Sequence, residues 1–233
     1  MSTWYSKFLV IINEELSPYT VGLLLILFLT YYYRKSVSSE FRRLFPLLIY
    51  WPISEFVGIA TRREYVSNTH VHHVYTVVYY LLLIYYFYPL LKAEKGMKFY
   101  FIASSILLFA FTVLNAMLFQ PFMVAMPTNA IMFHCLFILV IALFSFKQML
   151  ANPIPTLLRY KSQFWISTGL LIFNSWVFFF FALHAYFLRI GGDYPRSFLN
   201  IPSIFAFVML LLFLLAFWAE VKTNQFRHEH SAK

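Results

Sequence analysis

The sequence predicts an all-α, polytopic membrane protein: a bundle of seven transmembrane helices with its N-terminus outside and its C-terminus in the cytoplasm. Of the 233 residues, 61% are hydrophobic and 22% are aromatic, whereas only 12% are charged. The apolar residues form long runs, and Lys and Arg lie in the gaps between them. A single soluble core of this length could not bury so much apolar surface. We therefore expect the lipid bilayer to be the solvent for most of the chain.

Each apolar run is close to the length of a membrane span. A helix needs about 20 mostly apolar residues to cross the bilayer, and it satisfies its own backbone hydrogen bonds there. We predict spans at 18–33, 44–60, 71–91, 99–119, 128–146, 164–188 and 198–219. The second run carries Pro46, Pro52 and Glu55, and without it the protein would have six spans.

Short segments flank this predicted transmembrane domain, residues 18–220. Within residues 1–17, an apolar face of Trp4, Phe8, Ile11 and Ile12 favours a short helix at the outer interface, with a loop as the alternative. Residues 221–233 are predicted to be a cytoplasmic tail. This tail is too short for a soluble output domain, so any signal would pass to a membrane or cytoplasmic partner protein.

The basic residues predict the orientation. With the N-terminus outside, 13 of the 18 Lys and Arg residues fall in cytoplasmic segments. The outer segments hold the other five, which are Lys7, Arg62, Arg63, Arg189 and Arg196. Cytoplasmic loops normally carry this excess. The net charge of +9 is therefore a topology signal, and we expect no nucleic-acid partner.

Polar residues inside the predicted spans concentrate in their outer halves. The inner halves are almost entirely apolar, with Ser104, Ser105 and Thr168 as exceptions. The outer set comprises Glu55, His72, His73, Asn115, Gln120, Asn129, His134, Asn174, Ser175, His184 and Asn200. Polar groups in hydrocarbon normally face one another or a wet cavity. The asymmetry predicts a pocket open to the outside.

Glu55 is the first candidate for a ligand anchor, because an ionisable residue within a span is a functional candidate by default. Its structural alternatives are an ion pair with Arg62 or Arg63, or a protonated carboxyl bonded to a tyrosine. The predicted ligand-binding residues are Glu55, His72, His73, His134, Asn174 and His184. Tyrosines of the third span, such as Tyr75 and Tyr79, could line the same pocket, although packing is the usual role of such residues.

A metal site is a second interpretation of these residues. Imidazole and carboxylate groups bind zinc or iron, and the candidate ligands would be His70, His73, His134, His184 and Glu55. Only His70 and His73 have the spacing that places two ligands on one face of the third span. Hydrogen-bonding histidines are the favoured alternative, so no cofactor is predicted. Retinal is excluded because residues 198–219 contain no lysine for a Schiff base.

Two stretches carry a family resemblance. They are Pro52-Ile-Ser-Glu55 and His70-Val-His72-His73-Val-Tyr75, followed by Tyr-rich apolar sequence and then by Asn152-Pro153 and Phe164-Trp165. The chain resembles uncharacterised seven-helix proteins common in Bacteroidetes-type bacteria over most of its length. The resemblance implies a bacterial inner membrane location and the same topology, and it supports Glu55 and the histidines as site residues. It implies no ligand.

Three functions remain open at this stage. The first is a membrane receptor or sensor subunit that binds a small or amphiphilic ligand in an outward-facing pocket and signals through a partner. The second is a metal-dependent intramembrane enzyme that uses the same polar layer. The third is a structural membrane partner without its own ligand, with Glu55 paired internally and no cavity.

Overall fold

The structure is a computed structural model that describes residues 18–65, 68–151, 158–190 and 201–231, and it contains no strand within those ranges. The predicted interfacial segment and Asn152-Pro153 lie outside them. The main helices are α1 (Pro18–Tyr32), α2 (Phe45–Tyr65), α3 (Thr69–Leu91), α4 (Met97–Leu118), α5 (Thr128–Ala151), α6 (Ser162–Ile190) and α7 (Ile201–Ser231). A one-turn helix at Ser39–Arg42 precedes α2, and a 3₁₀ turn at Leu158–Tyr160 precedes α6.

Within the described residues, six helical segments are long and apolar enough to cross a membrane, which confirms the predicted all-α, polytopic membrane class. The second run is one of them, because the one-turn helix extends it to Ser39–Arg62, 24 residues. Pro52 lies inside α2, and membrane helices tolerate proline where neighbouring helices compensate for the lost hydrogen bond. Among the seven main helices of the described ranges, α1 is the shortest, and its 15 residues would rise about 22 Å at 1.5 Å per residue.

Six of the helices form a closed ring. Going around it, α1 packs against α2, α2 against α3, α3 against α5, α5 against α6, α6 against α7, and α7 back against α1. The remaining helix, α4, packs mainly on the outside of the ring, against α3 and α5. We call the end of the bundle where α3, α5 and α7 begin the upper end, and the opposite end the lower end.

Large apolar side chains fill the middle of the ring. Leu83 and Leu170 are fully buried, and Trp51 contacts Tyr79 and Phe213 edge-on, with ring centroids 6.4 and 6.2 Å away. Between α6 and α7, a Cβ atom at Gly169 would lie 3.4 Å from side-chain atoms of Met209, Leu212 and Phe213. Small residues allow membrane helices to approach closely. Close packing therefore separates the upper and lower ends.

The lower end is more polar than the sequence predicted. Glu220 of α7 is buried, and its carboxylate accepts hydrogen bonds from the backbone N–H of Ser38 at 3.0 Å and from the hydroxyl of Ser162 at 2.7 Å. Nearby, Ser145 accepts hydrogen bonds from Gln163 at 2.8 Å and Ser167 at 2.7 Å. The prediction missed Glu220 because the apolar run ends at residue 219, although α7 continues beyond it.

Candidate functional site

A cavity of about 790 Å³ lies inside the ring at the upper end. The middle turns of α6, the middle and last turns of α2, and the first turns of α3, α5 and α7 surround it. On α2 the lining residues Trp51, Glu55, Gly58 and Arg62 recur every three or four positions, which is the spacing of one helical face. A Cβ atom at Gly58 would lie 3.5 Å from the side-chain nitrogen of Asn68, which also lines the cavity. The volume is within the usual range for small-molecule sites.

Four of the six predicted ligand-binding residues line this cavity, each from a different helix. Glu55 comes from α2, His72 from α3, His134 from α5 and Asn174 from α6. Glu55 and His72 are half-buried, whereas His134 and Asn174 are buried. The amide nitrogen of Asn174 donates a hydrogen bond of 2.8 Å to the carbonyl of Leu170, which fixes the orientation of its side chain.

The buried wall of the cavity carries two polar atoms without a partner. His134 and Tyr79 are 4% and 1% exposed, and their rings meet edge-on with centroids 5.5 Å apart. In the described part of the chain, neither Nε2 of His134 nor the hydroxyl of Tyr79 has a hydrogen-bond partner. The adjacent Tyr80, in contrast, donates to the hydroxyl of Ser104 at 2.6 Å. Buried polar atoms normally bind protein, ordered water or ligand. The cavity can therefore supply a polar partner to this wall.

The cavity also carries side chains of opposite charge on one helix. Glu55 and Arg62 are two turns apart on α2 and both line the cavity. Their backbone positions are separated by about 10 Å along the helix axis at 1.5 Å per residue. Arg62 is exposed and nearer the upper end, and Glu55 is half-buried below it. The charged groups can therefore contact two different parts of one ligand.

His73 and His184 do not line this cavity. Successive residues of a helix point about 100° apart, so His73 faces away from the side of α3 that His72 occupies. Nε2 of His73 lies 3.2 Å from the carbonyl oxygen of Ala125 and therefore acts as the donor. His184 stacks on Phe180, with ring centroids 6.1 Å apart and planes 2° from parallel.

The candidate metal ligands are also divided. Of the proposed set, Glu55 and His134 line the cavity, whereas His70 lies beside Phe122, with ring centroids 6.3 Å apart. No group of three or more His, Cys, Asp or Glu side chains could hold a metal ion within the residues that the structure describes.

Part of the predicted polar layer has a structural role instead. Asn115 donates a 2.8 Å hydrogen bond to the side-chain oxygen of Gln120 and accepts one of 3.1 Å from Asn129. Gln120 also donates to Thr128 at 2.6 Å. These bonds join the end of α4 to the start of α5. Part of the predicted polar layer therefore lines the cavity and part joins α4 to α5. His73 and His184 belong to neither group, and Asn200 lies outside the described residues.

Several lining residues were not among the predicted ligand-binding residues. The sequence predicts Arg62 only as a partner for Glu55 and does not single out Thr76 or Ser203, although all three line the cavity. Helical spacing could have identified Arg62 and Thr76, since they lie seven residues after Glu55 and four after His72. Tyr75 and Tyr79 do line the cavity. No signal in the sequence singled out Ser203.

Comparison with known proteins adds no relative: the chain matches no protein-family model, no curated protein and no solved structure.

Proposed function

We propose that this chain is a membrane receptor or sensor subunit that binds a small or amphiphilic ligand in the upper cavity. The observation that carries the proposal is the convergence of Glu55, His72, His134 and Asn174 from four helices on one cavity. A protein with only a structural role would need no such cavity. Nε2 of His134 and the hydroxyl of Tyr79, which have no hydrogen-bond partner among the described residues, favour an occupant with hydrogen-bonding groups.

The ligand that suits this lining has polar groups at two levels and an apolar part. Arg62 would attract an anionic or strongly polar group near the upper end. Deeper, the carboxylate of Glu55 suits a hydrogen-bond donor or a cation. The apolar part would lie against the aromatic and aliphatic lining, which includes Trp51, Tyr75, Phe173, Val177 and Phe181. A few placed polar groups in a largely apolar pocket are typical of small-molecule sites.

The proposal includes seven spans with the N-terminus outside, so that the cavity opens outward. The excess of Lys and Arg in the segments at the lower end supports this orientation. The position of α1 supports the seventh span, because α1 packs against α2 and α7, both of which can cross the membrane. Its exposed side chains include Phe28 and Tyr31, as expected for a lipid-facing surface.

Signal transfer would use the helices that run from the cavity to the lower end. Asn174, Ser167 and Gln163 lie on one face of α6, because they are separated by seven and four residues. On α7, Ser203 lines the cavity, and Glu220 at the lower end bonds to Ser38 and Ser162. A shift of either helix on ligand binding would change the lower surface, where a partner protein would bind.

Cysteine labelling tests the outward opening. Cys135 is buried, and its replacement by Ala gives a protein without cysteine. Into this protein, Ser203→Cys introduces a thiol in the cavity, and Ser36→Cys introduces one at the lower end. In intact cells, a membrane-impermeant methanethiosulfonate should label position 203 and not position 36. The reverse pattern would overturn the orientation, and no labelling at position 203 after membrane permeabilisation would contradict an open cavity.

Ligand binding is tested by thermal shift of the detergent-purified protein. A panel of alkylamines, fatty acids and zwitterionic amphiphiles provides the probes. A compound that binds the cavity should raise the Tm of the wild type and of His184→Phe, which changes a residue outside the cavity. It should have little effect on His134→Phe and Asn174→Leu. Equal shifts in all four proteins would place binding elsewhere and contradict the proposed site.

A further inference from the structure

A second recess lies outside the ring, between α3 and α4. Its volume is about 450 Å³, and Val74, Val77, Phe109, Val113 and Ala116 contribute to its lining. We call it the α3–α4 groove. Three of its lining residues, Val74, Phe109 and Met117, are 51%, 60% and 75% exposed on the outer surface of the bundle. In a membrane, this surface faces lipid, so the groove opens sideways towards hydrocarbon chains.

One polar side chain lines this apolar groove and has an atom without a partner. His73 is 2% exposed, and its Nε2 donates to the carbonyl of Ala125. A neutral imidazole then has Nδ1 as an acceptor. In the part of the chain that the structure describes, this buried Nδ1 has no hydrogen-bond partner. The groove's other polar residue, Thr112, donates its hydroxyl to the carbonyl of Leu108 at 2.8 Å.

The groove has the polarity profile of a lipid. His73 lies about one turn from the start of α3, near the upper interface, and Phe122 covers its ring at a centroid distance of 5.2 Å. From there, the apolar lining continues along α4 from Met117 to Phe109, a rise of about 12 Å towards the bilayer centre. The hydrogen-bonding position is therefore at head-group depth, and the apolar lining follows the path of an acyl chain.

We propose that the α3–α4 groove binds one hydrocarbon chain of a lipid whose head carries a free hydroxyl, which donates to Nδ1 of His73. Monoacylglycerols, diacylglycerols and long-chain alcohols have this chemistry. The site is distinct from the cavity, because His72 faces the cavity and His73 lines the groove. The inference therefore does not depend on the receptor proposal.

Photolabelling tests this site with the full chain in phosphatidylcholine vesicles. The probe is a monoacylglycerol with a diazirine in its acyl chain, and the matched probe is its di-O-methyl ether, which has no hydroxyl. The hydroxyl probe should label peptides covering 74–78 and 109–117 several-fold more strongly than the ether does. Equal labelling by the two probes, or even labelling of every lipid-facing helix, would overturn the proposal.

Variants separate the chain-binding and head-binding parts. Ala116→Trp should fill the groove and abolish labelling at these peptides, and Val113→Trp provides a second blocked variant. His73→Phe keeps an aromatic ring but removes the acceptor. Labelling by the hydroxyl probe should therefore fall to the level of labelling by the ether probe. His70→Phe, one turn earlier on α3, should still be labelled more strongly by the hydroxyl probe than by the ether probe, as the wild type is. A preference that survives His73→Phe, or labelling that survives both tryptophan variants, would overturn the assignment.

Discussion

The carboxylate of Glu220 accepts a 3.0 Å hydrogen bond from the backbone N–H of Ser38, a residue 182 positions earlier in the chain. The same carboxylate also binds the hydroxyl of Ser162 at the start of α6. One side chain of α7 therefore joins the segment before α2 to the beginning of α6. This arrangement makes the lower end of the ring dependent on a buried acidic residue.

Replacement of Glu220 should destabilise the protein. Glu220→Ala removes the acceptors of two hydrogen bonds, from the backbone N–H of Ser38 and from the hydroxyl of Ser162. We therefore expect a loss of about 2 to 4 kcal/mol in the free energy of unfolding. Unfolding in mixed micelles measures the loss. Glu94→Gln is the matched control, because Glu94 binds Lys147, whose side chain is 62% exposed, and exposed ion pairs contribute little. Equal effects in the two variants would contradict the structural role of Glu220.

The adjacent tyrosines Tyr79 and Tyr80 should respond differently to removal of the hydroxyl. Tyr80→Phe breaks the bond to Ser104, so we expect a loss of about 1 kcal/mol in stability. Tyr79→Phe removes a buried hydroxyl that has no protein partner in the described residues, so it should be neutral or slightly stabilising in the empty protein. Thermal unfolding of both variants makes the comparison, and a larger loss in Tyr79→Phe would indicate an ordered partner at that hydroxyl.

Contact between α6 and α7 should depend on the size of residue 169. Gly169→Ala adds a Cβ at ordinary contact distance and should be tolerated. Gly169→Leu would force its side chain into Met209 and Phe213, and we expect a loss of about 1 to 3 kcal/mol from overpacking. Thermal unfolding of the two variants tests this, with Leu143→Ala on the exposed surface of α5 as control. A stable Gly169→Leu protein would contradict close packing here.

The connection between α4 and α5 should loosen when its amide network is broken. Asn115 is 1% exposed and makes side-chain hydrogen bonds to Gln120 and Asn129. Asn115→Ala should destabilise the protein by about 2 kcal/mol, because it leaves buried amide groups unsatisfied. Limited proteolysis should then cut faster within residues 119–127. Ser175→Ala is the control from the same predicted polar layer, and an equal cleavage rate in the two variants would argue against the network.

Hydrophobicity predicted the helices well, because a long apolar run identifies a membrane helix without information about its neighbours. It also predicted the depth of Glu55, His72, His134 and Asn174, since depth follows from position along a helix. The recess that a side chain faces depends on which helices pack beside its own helix, and the sequence does not specify those neighbours. For this reason, His72 and His73 were assigned to one pocket, although they face different recesses.

Span boundaries were the other weak point of the sequence interpretation. Most predicted spans were bounded by a charged or strongly polar residue, whereas α6 and α7 extend past those boundaries. Glu220 lies just after one predicted span and bonds to Ser162, and Gln163 lies just before another and bonds to Ser145. A hydropathy profile scores such residues as solvent-facing, because it includes no hydrogen-bond partners.

The contact between α1 and α7 has a consequence for biosynthesis. Helices leave the ribosome in chain order, so the ring cannot close until α7 has been made. Before that, α2 carries Glu55 into the membrane while His134 and Asn174 on α5 and α6 are still to be synthesised. The cavity around Glu55 is therefore complete only after α6 and α7 have been made, and ionisable groups are costly in hydrocarbon. Assembly of this protein would accordingly be most vulnerable while translation is still under way.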